Sequence, residues 1–377
     1  MRKKIIFLHQ SLNVGGAENL RLELLRRIDR TVFNIKVCCI GKKGPVGEKI
    51  EKLGYRVDEL NQDPSSKNIY ITYKLVNYLR RERPDILHSS LFNANFHGRI
   101  AGFLSRIPFL ITEEHSEHLQ YNGFKMLPYK IADFALSHIT DFIVCCSEWL
   151  KKDIIKKERL PSGKVVSIEN CLNLDSYSIK RKREEIRKAY NIEKDIVFIT
   201  VASLSARKGH SFLIESLRDI KDMGYSFKCF FAGDGPLKES LKLKVKGLKL
   251  EDRIIFLGNV ENVADYLNAS DVFILPSFIE GLSIALMEAM LKGRPCIVTD
   301  VGSNSKLIKT GFNGTVVLPK DKEGLKNAII FYLQNKDLIG EFGKRARSII
   351  EAGYSSIDKY TRAYYELWEK CTNTSHK

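Results

Sequence analysis

Short apolar runs alternate with longer amphipathic stretches along the first half of the chain. The runs predict strands at residues 5–8, 35–40, 86–89, 109–112 and 142–145. After the first run, Leu20, Leu24 and Ile28 fall on one stripe at helical spacing, which predicts a helix over 17–28. Alternation of strands with helices is typical of a parallel sheet covered by helices on both faces.

The same alternation restarts after a highly charged segment, KRKREEIRK at 180–188, which we interpret as a solvated helix or linker. Further strands are predicted at 196–201, 227–232, 254–257, 272–275 and 296–299. We therefore expect an α/β protein of two doubly wound parallel-sheet domains that face a central cleft. The expected domains are 1–178 and 179–355, followed by a C-terminal helix and tail at 356–377 that packs back on either domain.

Composition adds a preference for anionic partners. The 377 residues include 61 Lys and Arg against 45 Asp and Glu, a formal net charge of +16. Such a surface favours phosphate-bearing ligands, acidic lipid or nucleic acid. With 44% hydrophobic and 28% charged residues, the chain has ordinary globular usage, which excludes a disordered, collagen-like or coiled-coil protein.

The chain shows no targeting or disulfide pattern. Its first apolar run, residues 5–8, is shorter than the roughly 7–15 residues of a secretory signal, and no run approaches the ~20 residues of a membrane helix. The eight cysteines include adjacent pairs at 38–39 and 145–146, inside apolar runs that suit buried strands. We expect a reduced, cytoplasmic protein with at most peripheral membrane contact.

Several small-residue loops are placed between a predicted strand and a helix. Gly15 and Gly16 let the backbone approach a ligand at a helix N-terminus, although no G-x-G-x-x-G pattern is present. Gly233, in the turn GDGP, and the loop 302–305 are similar. Ordinary turns remain the alternative for each of these loops.

A basic loop, SLSARKGH at 203–210, also follows a predicted strand. Arg207 and Lys208 there can neutralise a diphosphate without a metal ion. The alternative is a solvated basic loop.

Two glutamates flank the start of a predicted helix in SFIEGLSIALMEAM. Glu280 is expected before the helix and Glu288 two turns inside it, a helical rise of ~12 Å over eight residues. That separation matches the two ends of a nucleotide sugar, with the helix N-terminus at Leu282 and Ser283 near the phosphates. A surface pair is the alternative, but the apolar neighbours of Glu288 require a partner for its carboxylate.

Metal binding has little support. His115 and His118 have a suitable spacing, but no further ligands complete a site, and no Asp-x-Asp is present. His115 follows a predicted strand, so it is a candidate cleft residue, with a structural histidine as the alternative.

The segment 121–130 mixes aromatic and basic residues. It is either an exposed surface that contacts a membrane or the acceptor, or a buried loop.

Taken in order, these segments resemble retaining glycosyltransferases of family 4, which have the GT-B fold. The matching segments, centred on the E-x7-E pair, are NVGGAE (13–18), RPDILHSS (83–90), ITEEHS (111–116), DFIVCCS (141–147), IENCLN (168–173), VASLSARKG (201–209), GDGPL (233–237), IIFLGNV (254–260), ASDVFILPSFIEGLSIALMEAM (269–290), TDVGS (299–303) and GFNGTVV (311–317).

The resemblance implies roles for individual residues. Glu288 resembles the glutamate that holds the nucleotide ribose, and Glu280 the one that contacts the donor sugar. Lys208 resembles the lysine on the diphosphate, and His115 a histidine that borders the reacting sugar. The remaining donor-site candidates are Arg207, Gly15, Gly16, Ser203, Gly233, Gly281, Leu282 and Ser283.

The chain departs from the family pattern at three places. The family arginine of G-R-L-x-x-x-K-G falls at Ser203, and Arg207 is a candidate replacement for its charge. The usual N-G-[IV]-D turn reads NCLN at 170–173, and the acidic residue after the small-residue loop falls at Lys306.

The resemblance implies transfer of a sugar from a nucleoside-diphosphate sugar to a hydroxyl, without a cofactor or metal. The N-terminal domain is then acceptor-binding and the second domain donor-binding. The acceptor is expected to be a glycan or lipid-linked glycan in capsule, O-antigen or glycolipid synthesis, at the inner face of an anionic membrane. Alternatives are a catalytically silent GT-B scaffold, a sugar-nucleotide epimerase or glycogen-type synthase and, remotely, a nucleic-acid-binding protein, although the chain contains no recognition motif for nucleic acid.

Overall fold

A computed structural model describes residues 2–63, 68–116 and 127–373 and divides the chain into two compact units. The first unit contains Met1–Cys171 and also Ile357–Lys377, and the second contains Leu172–Ser356. His118 and residues 121–126 lie outside the described residues, as do the side chains of 127–130, so the interpretations of those positions stay predictions.

The first unit is built on a seven-stranded sheet of order β3-β2-β1-β4-β5-β6-β7, in which every neighbouring pair is parallel. Its strands are β1 (Lys3–His9), β2 (Phe33–Cys39), β3 (Val57–Glu59), β4 (Ile86–Ser90), β5 (Phe109–Glu114), β6 (Phe142–Cys145) and β7 (Val165–Ser167). The helices that connect them are α1 (Gly16–Arg27), α2 (Gly44–Lys52), α3 (Ile69–Glu82), α4 (Phe92–Leu104), α5 (Leu127–His138) and α6 (Glu148–Glu158).

Apolar residues drive the formation of this sheet. Residues 5–8 of β1 are fully buried, as strands covered by helices on both faces require. The five strands predicted for this half are present, with ends that differ by at most a few residues. The short strands β3 and β7 were not predicted, because three residues at a sheet edge carry too little periodicity.

The second unit has a six-stranded sheet of order β10-β9-β8-β11-β12-β13, again with parallel neighbours. Its strands are β8 (Ile196–Val201), β9 (Phe227–Ala232), β10 (Ile254–Gly258), β11 (Val272–Leu275), β12 (Cys296–Thr299) and β13 (Gly314–Val317). Its helices are α7 (Arg183–Ala189), α8 (His210–Asp222), α9 (Lys238–Gly247), α10 (Val263–Ala269), α11 (Ile284–Leu291), α12 (Asn304–Leu307), α13 (Lys322–Gln334) and α14 (Leu338–Gly353).

The charged segment at 180–188 forms α7 and is anchored to this sheet. Arg183 and Arg187 both reach the carboxylate of Asp271, which precedes β11. The Asp271 carboxylate also accepts a hydrogen bond of 2.7 Å from the backbone N–H of Val197 in β8. The segment is therefore a helix that is anchored to the second sheet, and two of its arginines are paired with Asp271.

The last helix, α15 (Ile357–Asn373), belongs to the first unit, where it packs on α1. Its buried face carries Tyr360, Tyr364 and Trp368. The Trp368 ring lies edge-on to Phe7 of β1 and to Phe33 of β2, with centroids 5.7 and 5.2 Å apart. The helix α15 therefore packs against β1 and β2 of the first sheet.

All eight cysteines are free and buried, as expected for adjacent pairs within strands. In the described part of the chain, no helix is both long and apolar enough to cross a bilayer.

Candidate active site

In the second unit, the connection between β8 and α8 requires a glycine. A short helical turn, Ala206–Lys208, leads into Gly209, whose φ of +69° favours glycine. A Cβ at Gly209 would lie 1.9 Å from the carbonyl oxygen of Pro276, which precedes the glutamate loop. The basic loop and the glutamate loop therefore touch backbone to backbone, which brings Lys208 close to the residues after β11.

Lys208 and Glu280 form an ion pair at this contact. The Lys208 Nζ lies 2.6 Å from the Glu280 Oε1, and the two side chains are 13% and 7% exposed. The N–H of Phe278 donates a 2.7 Å hydrogen bond to the carbonyl of Arg207, which fixes the two loops together. Lys208 follows the carboxyl end of β8, and Glu280 follows that of β11. Open α/β sheets bind ligands at this edge.

The glutamate loop opens α11 with a side-chain cap. Ser283 is the N-cap residue, and its hydroxyl accepts a 3.3 Å hydrogen bond from the N–H of Leu286. The expected helix start near Leu282 and Ser283 is confirmed. Residues 280–283 are not helical, however, so Glu288 lies little more than one turn inside α11, and the helical rise of ~12 Å between the glutamates does not apply.

Glu288 is half-buried on α11, between the buried residues Met287 and Ala289. Removal of its carboxyl from water raises its pKa to about 7, although a hydrogen bond from Tyr177 opposes that shift. Tyr177 ends a short turn, Leu174–Tyr177, and its carbonyl accepts a hydrogen bond from Lys292. Tyr177 is a site residue that the sequence does not predict, because nothing near it in the chain indicates its contact with Glu288 of α11.

A second glycine loop supports Glu280 from the other side. Gly302 has a φ of +58°, and a Cβ there would lie 2.5 Å from the Glu280 carbonyl and 2.7 Å from that of Gly281. The next residue, Ser303, donates a 2.8 Å backbone hydrogen bond to the Gly281 carbonyl. Gly233 packs equally closely against the start of the basic loop. A Cβ at Gly233 would lie 2.1 Å from the carbonyl oxygen of Ala202.

Two of the three departures from the family pattern, Ser203 and Lys306, are exposed, whereas the NCLN turn at 170–173 is buried. Ser203 lies at the surface, with its hydroxyl 3.2 Å from that of Ser205. Arg207 is also exposed, beside the ion pair but outside it. Lys306, in α12, lies with its Nζ 6.0 Å from the centre of the Tyr354 ring.

In the first unit, Gly15 and Gly16 begin α1 after β1, with Gly15 as the extended N-cap residue. The Glu18 carboxylate folds back over this turn, since a Cβ at Gly15 would lie 2.2 Å from its Oε2. His115 directly follows β5, so it lies at the carboxyl edge of the same sheet. Its Nε2 is 3.0 Å from the Ser90 hydroxyl and 3.5 Å from the Glu113 carboxylate.

The two groups of residues offer different chemistry. The second unit combines an ammonium, the N-terminus of α11 and two carboxylates, which suits a ligand with phosphate in its middle and hydroxyls at its ends. The first unit offers a glycine turn at a helix start and an imidazole. In the described residues, no three His, Cys, Asp or Glu side chains are grouped as a metal site.

Comparison with known proteins also divides the chain into two parts, close to the boundary between the two units. The family profile described as Glycosyltransferase Family 4 matches residues 14–176, and that described as Glycosyl transferases group 1 matches 182–354. A galactosyltransferase of Escherichia coli, UDP-Gal:alpha-D-GlcNAc-diphosphoundecaprenol alpha-1,3-galactosyltransferase, is 25% identical over 94% of both chains. The capsular polysaccharide biosynthesis glycosyltransferase CapH of Staphylococcus aureus is 24% identical over 81% of this chain and 83% of its own.

Among solved structures, Anabaena HepE in complex with UDP and glucose superposes with a TM-score of 0.83. The superposition covers 98% of this chain and all of the other at 19% identity, which shows the fold. Two parallel-sheet α/β units with such a neighbour define the GT-B fold. The chain belongs to glycosyltransferase family 4, as its two profile matches together show.

Proposed function

We propose that the protein transfers a sugar from a nucleoside-diphosphate sugar to an acceptor hydroxyl, with retention of configuration and without a metal ion. The observation that carries the proposal is the Lys208–Glu280 ion pair at the carboxyl edge of the second sheet, beside the capped start of α11. The second unit then binds the donor, and the first binds the acceptor.

The donor occupies the groups of the second unit in order. The ribose hydroxyls donate to Glu288, the diphosphate lies against Lys208 and the N-terminus of α11, and a sugar hydroxyl donates to Glu280. Gly281, Leu282, Ser283 and Gly233 contribute backbone and small-residue contacts. Arg207, which is exposed, adds positive charge to that of Lys208, and Ser203 stands where the family has an arginine.

The reaction breaks the bond between the anomeric carbon and the phosphate oxygen, and the bond electrons go to the diphosphate. Lys208 and the helix N-terminus stabilise that growing negative charge, so no metal is required for it. The acceptor oxygen bonds to the anomeric carbon on the face that the phosphate leaves, and its proton passes to the departing phosphate oxygen. His115 borders the reacting sugar, and the Gly15–Gly16 turn lies near the donor phosphate and acceptor.

The relatives indicate where such a transfer is used. The name of the Escherichia coli enzyme contains a UDP-linked donor and a lipid-diphosphate acceptor, and CapH acts in capsule synthesis. Together with the net charge of +16, these names support a lipid-linked glycan acceptor in surface polysaccharide or glycolipid assembly. The protein is then cytoplasmic and binds an anionic membrane face peripherally.

Product analysis tests the proposal. UDP-glucose, UDP-galactose and UDP-N-acetylglucosamine, each α-linked, are incubated with the protein, lipid-linked acceptors and excess chelator, and the product is read by NMR. An α-linked product formed with the chelator present is expected. A β-linked product would reject retention, chelator-sensitive turnover would reject metal independence, and interconversion of the donors alone would indicate an epimerase.

Membrane contact is tested separately by sedimentation with phosphatidylglycerol vesicles. Binding that weakens as salt rises is expected from a basic surface. Absence of binding at low salt would contradict the peripheral location.

A further inference from the structure

The first unit contains a second charged cluster, apart from the proposed donor site. His9 ends β1, His88 lies within β4 and His115 directly follows β5, and the three surround the carboxylate of Glu113. His9, His88 and Glu113 are buried, whereas the His115 side chain is 14% exposed. His115 is therefore the histidine of this cluster that a ligand can reach.

The Glu113 carboxylate is held by groups distant in sequence. Arg21 of α1 forms an ion pair with its Oε2, and the Tyr364 hydroxyl of α15 donates to its Oε1. The Arg21 guanidinium in turn lies over the Phe7 ring, 3.9 Å from its centre. A buried carboxylate with two such partners has little freedom to rotate.

This fixed carboxylate determines which nitrogen of His115 carries a proton. The Nε2 faces the Glu113 Oε2 at 3.5 Å and the Ser90 Oγ at 3.0 Å. An ionised carboxylate only accepts hydrogen bonds, so Nε2 carries the proton in the neutral ring. Among the described residues, Nδ1 of His115 makes no hydrogen bond.

The surrounding charges favour a protonated His115. Burial by itself lowers the pKa of His115, but the Glu113 carboxylate and, more weakly, Glu18 raise it above the ordinary value against the opposing charge of Arg21. Burial lowers the pKa of His88 to about 3 and that of His9 well below its usual range, so both stay neutral. Burial raises the pKa of Tyr364, which keeps its hydroxyl as a donor.

We propose that Glu113 is a positioning residue for His115, and that Arg21 and Tyr364 hold it in place. Glu113 fixes the orientation and tautomer of the imidazole, so that Nδ1–H of the protonated ring donates to the sugar or phosphate at the sheet edge. The helix α15 thereby supports a site residue far earlier in the chain, since Tyr364 contacts Glu113, two residues before His115. The proposal rests on the proposed function only for the identity of that ligand.

NMR of the ligand-free protein with labelled histidines tests the positioning without any turnover. His115→Gln assigns the His115 resonance. In the wild type we expect the Nε2–H tautomer and a pKa above the ordinary 6.5; an Nδ1–H tautomer or an ordinary pKa would overturn the proposal. This measurement needs no variant of Glu113, which matters because Glu113→Gln leaves Arg21 without its charge partner and can unfold the unit.

Where Glu113→Gln folds, its His115 pKa should fall by about one unit or more. The matched control is Glu114→Gln, since Glu114 is the buried neighbour that accepts from Asn95 and its replacement keeps an acceptor. Tyr364→Phe keeps the ion pair and removes one hydrogen bond to Glu113, so a smaller change at His115 is expected. An unchanged His115 in folded Glu113→Gln, or an equal change in the control, would overturn the proposal.

Kinetics separate this proposal from the proposed function. The upper pH limb of kcat should move to lower pH in Glu113→Gln by the shift that NMR measures, because less His115 is protonated. The expected NMR result without any sugar transfer would support the positioning and reject the proposed function. Sugar transfer whose upper pH limb of kcat is the same in the wild type and in Glu113→Gln would reject the positioning role of Glu113 but not the proposed function.

Discussion

The two units each contain a cation–glutamate pair at the carboxyl edge of a parallel sheet, but the pairs differ in access and partners. In the second unit, the side chains of Lys208 and Glu280 are 13% and 7% exposed. In the first, those of Arg21 and Glu113 are each 3% exposed, and Tyr364 adds a hydrogen bond.

This difference separates a pair that can exchange partners from one that cannot. A diphosphate can replace Glu280 as the partner of Lys208, since lysine presents a point charge on a flexible stem. Arg21 uses a planar guanidinium between an aromatic ring and a carboxylate, and no ligand reaches it. The open pair therefore serves binding and turnover, and the sealed pair serves folding and the orientation of His115.

The largest expected effect is on stability, and it distinguishes the two pairs directly. Glu113→Ala leaves a buried guanidinium without its counter-charge, which should cost about 3–5 kcal/mol of unfolding free energy. Glu280→Ala leaves an ammonium on a flexible side chain that is already 13% exposed, so a smaller loss of about 1–2 kcal/mol is expected. Urea denaturation measures both, and equal losses would contradict the distinction.

Substitution in the Lys208–Glu280 pair should affect turnover more than stability. Lys208→Met removes the charge next to the leaving diphosphate, so kcat should fall about 10²–10³-fold with little loss of stability. Lys322→Met is the matched control, since Lys322 pairs with Asp219 at 2.7 Å away from the site loops. If both variants turn over sugar at the wild-type rate, Lys208 has no catalytic role.

The loop contact that forms the open pair can be broken separately. Gly209→Ala places a Cβ against the Pro276 carbonyl, whereas Gly224→Ala, with a similar φ of +85°, meets nothing within 4 Å. Both variants carry backbone strain of about 1 kcal/mol. Only Gly209→Ala should also raise the KM for the donor severalfold, and an equal effect on KM in both would mean that the contact is unimportant.

A further prediction concerns the pH dependence of nucleotide binding. If a ribose binds the ionised form of Glu288, whose pKa is about 7, UDP affinity should fall as pH drops below 7, approaching tenfold per unit. Affinity should be constant above that pH. Tyr177→Phe removes the hydrogen bond that stabilises the carboxylate, so this fall should begin at higher pH. Calorimetric titration measures it, and a pH-independent affinity would contradict the role of Glu288.

Much of the fold was predictable because it depends on local patterns. Periodicity located the strands 196–201, 227–232, 272–275 and 296–299 with the bounds that the structure shows. The short strand β13 was not predicted, since its first residue, Gly314, reads as part of a turn.

Site contacts were predictable only where they lie within loops that follow strands. Lys208 and Glu280 were both singled out, and the structure pairs them. The contacts of Tyr177 with Glu288 and of Tyr364 with Glu113 join segments far apart in sequence. No single-sequence pattern indicates them, because such contacts depend on how the helices pack rather than on residue spacing.

Donor binding by the second unit is the central claim about this protein, and calorimetric titration of UDP at pH 8 tests it most directly. The wild type should bind UDP, and Glu288→Ala, with an unchanged circular dichroism spectrum, should bind at least tenfold more weakly. Equal affinities of the two proteins would contradict the assignment of this site to the nucleotide sugar.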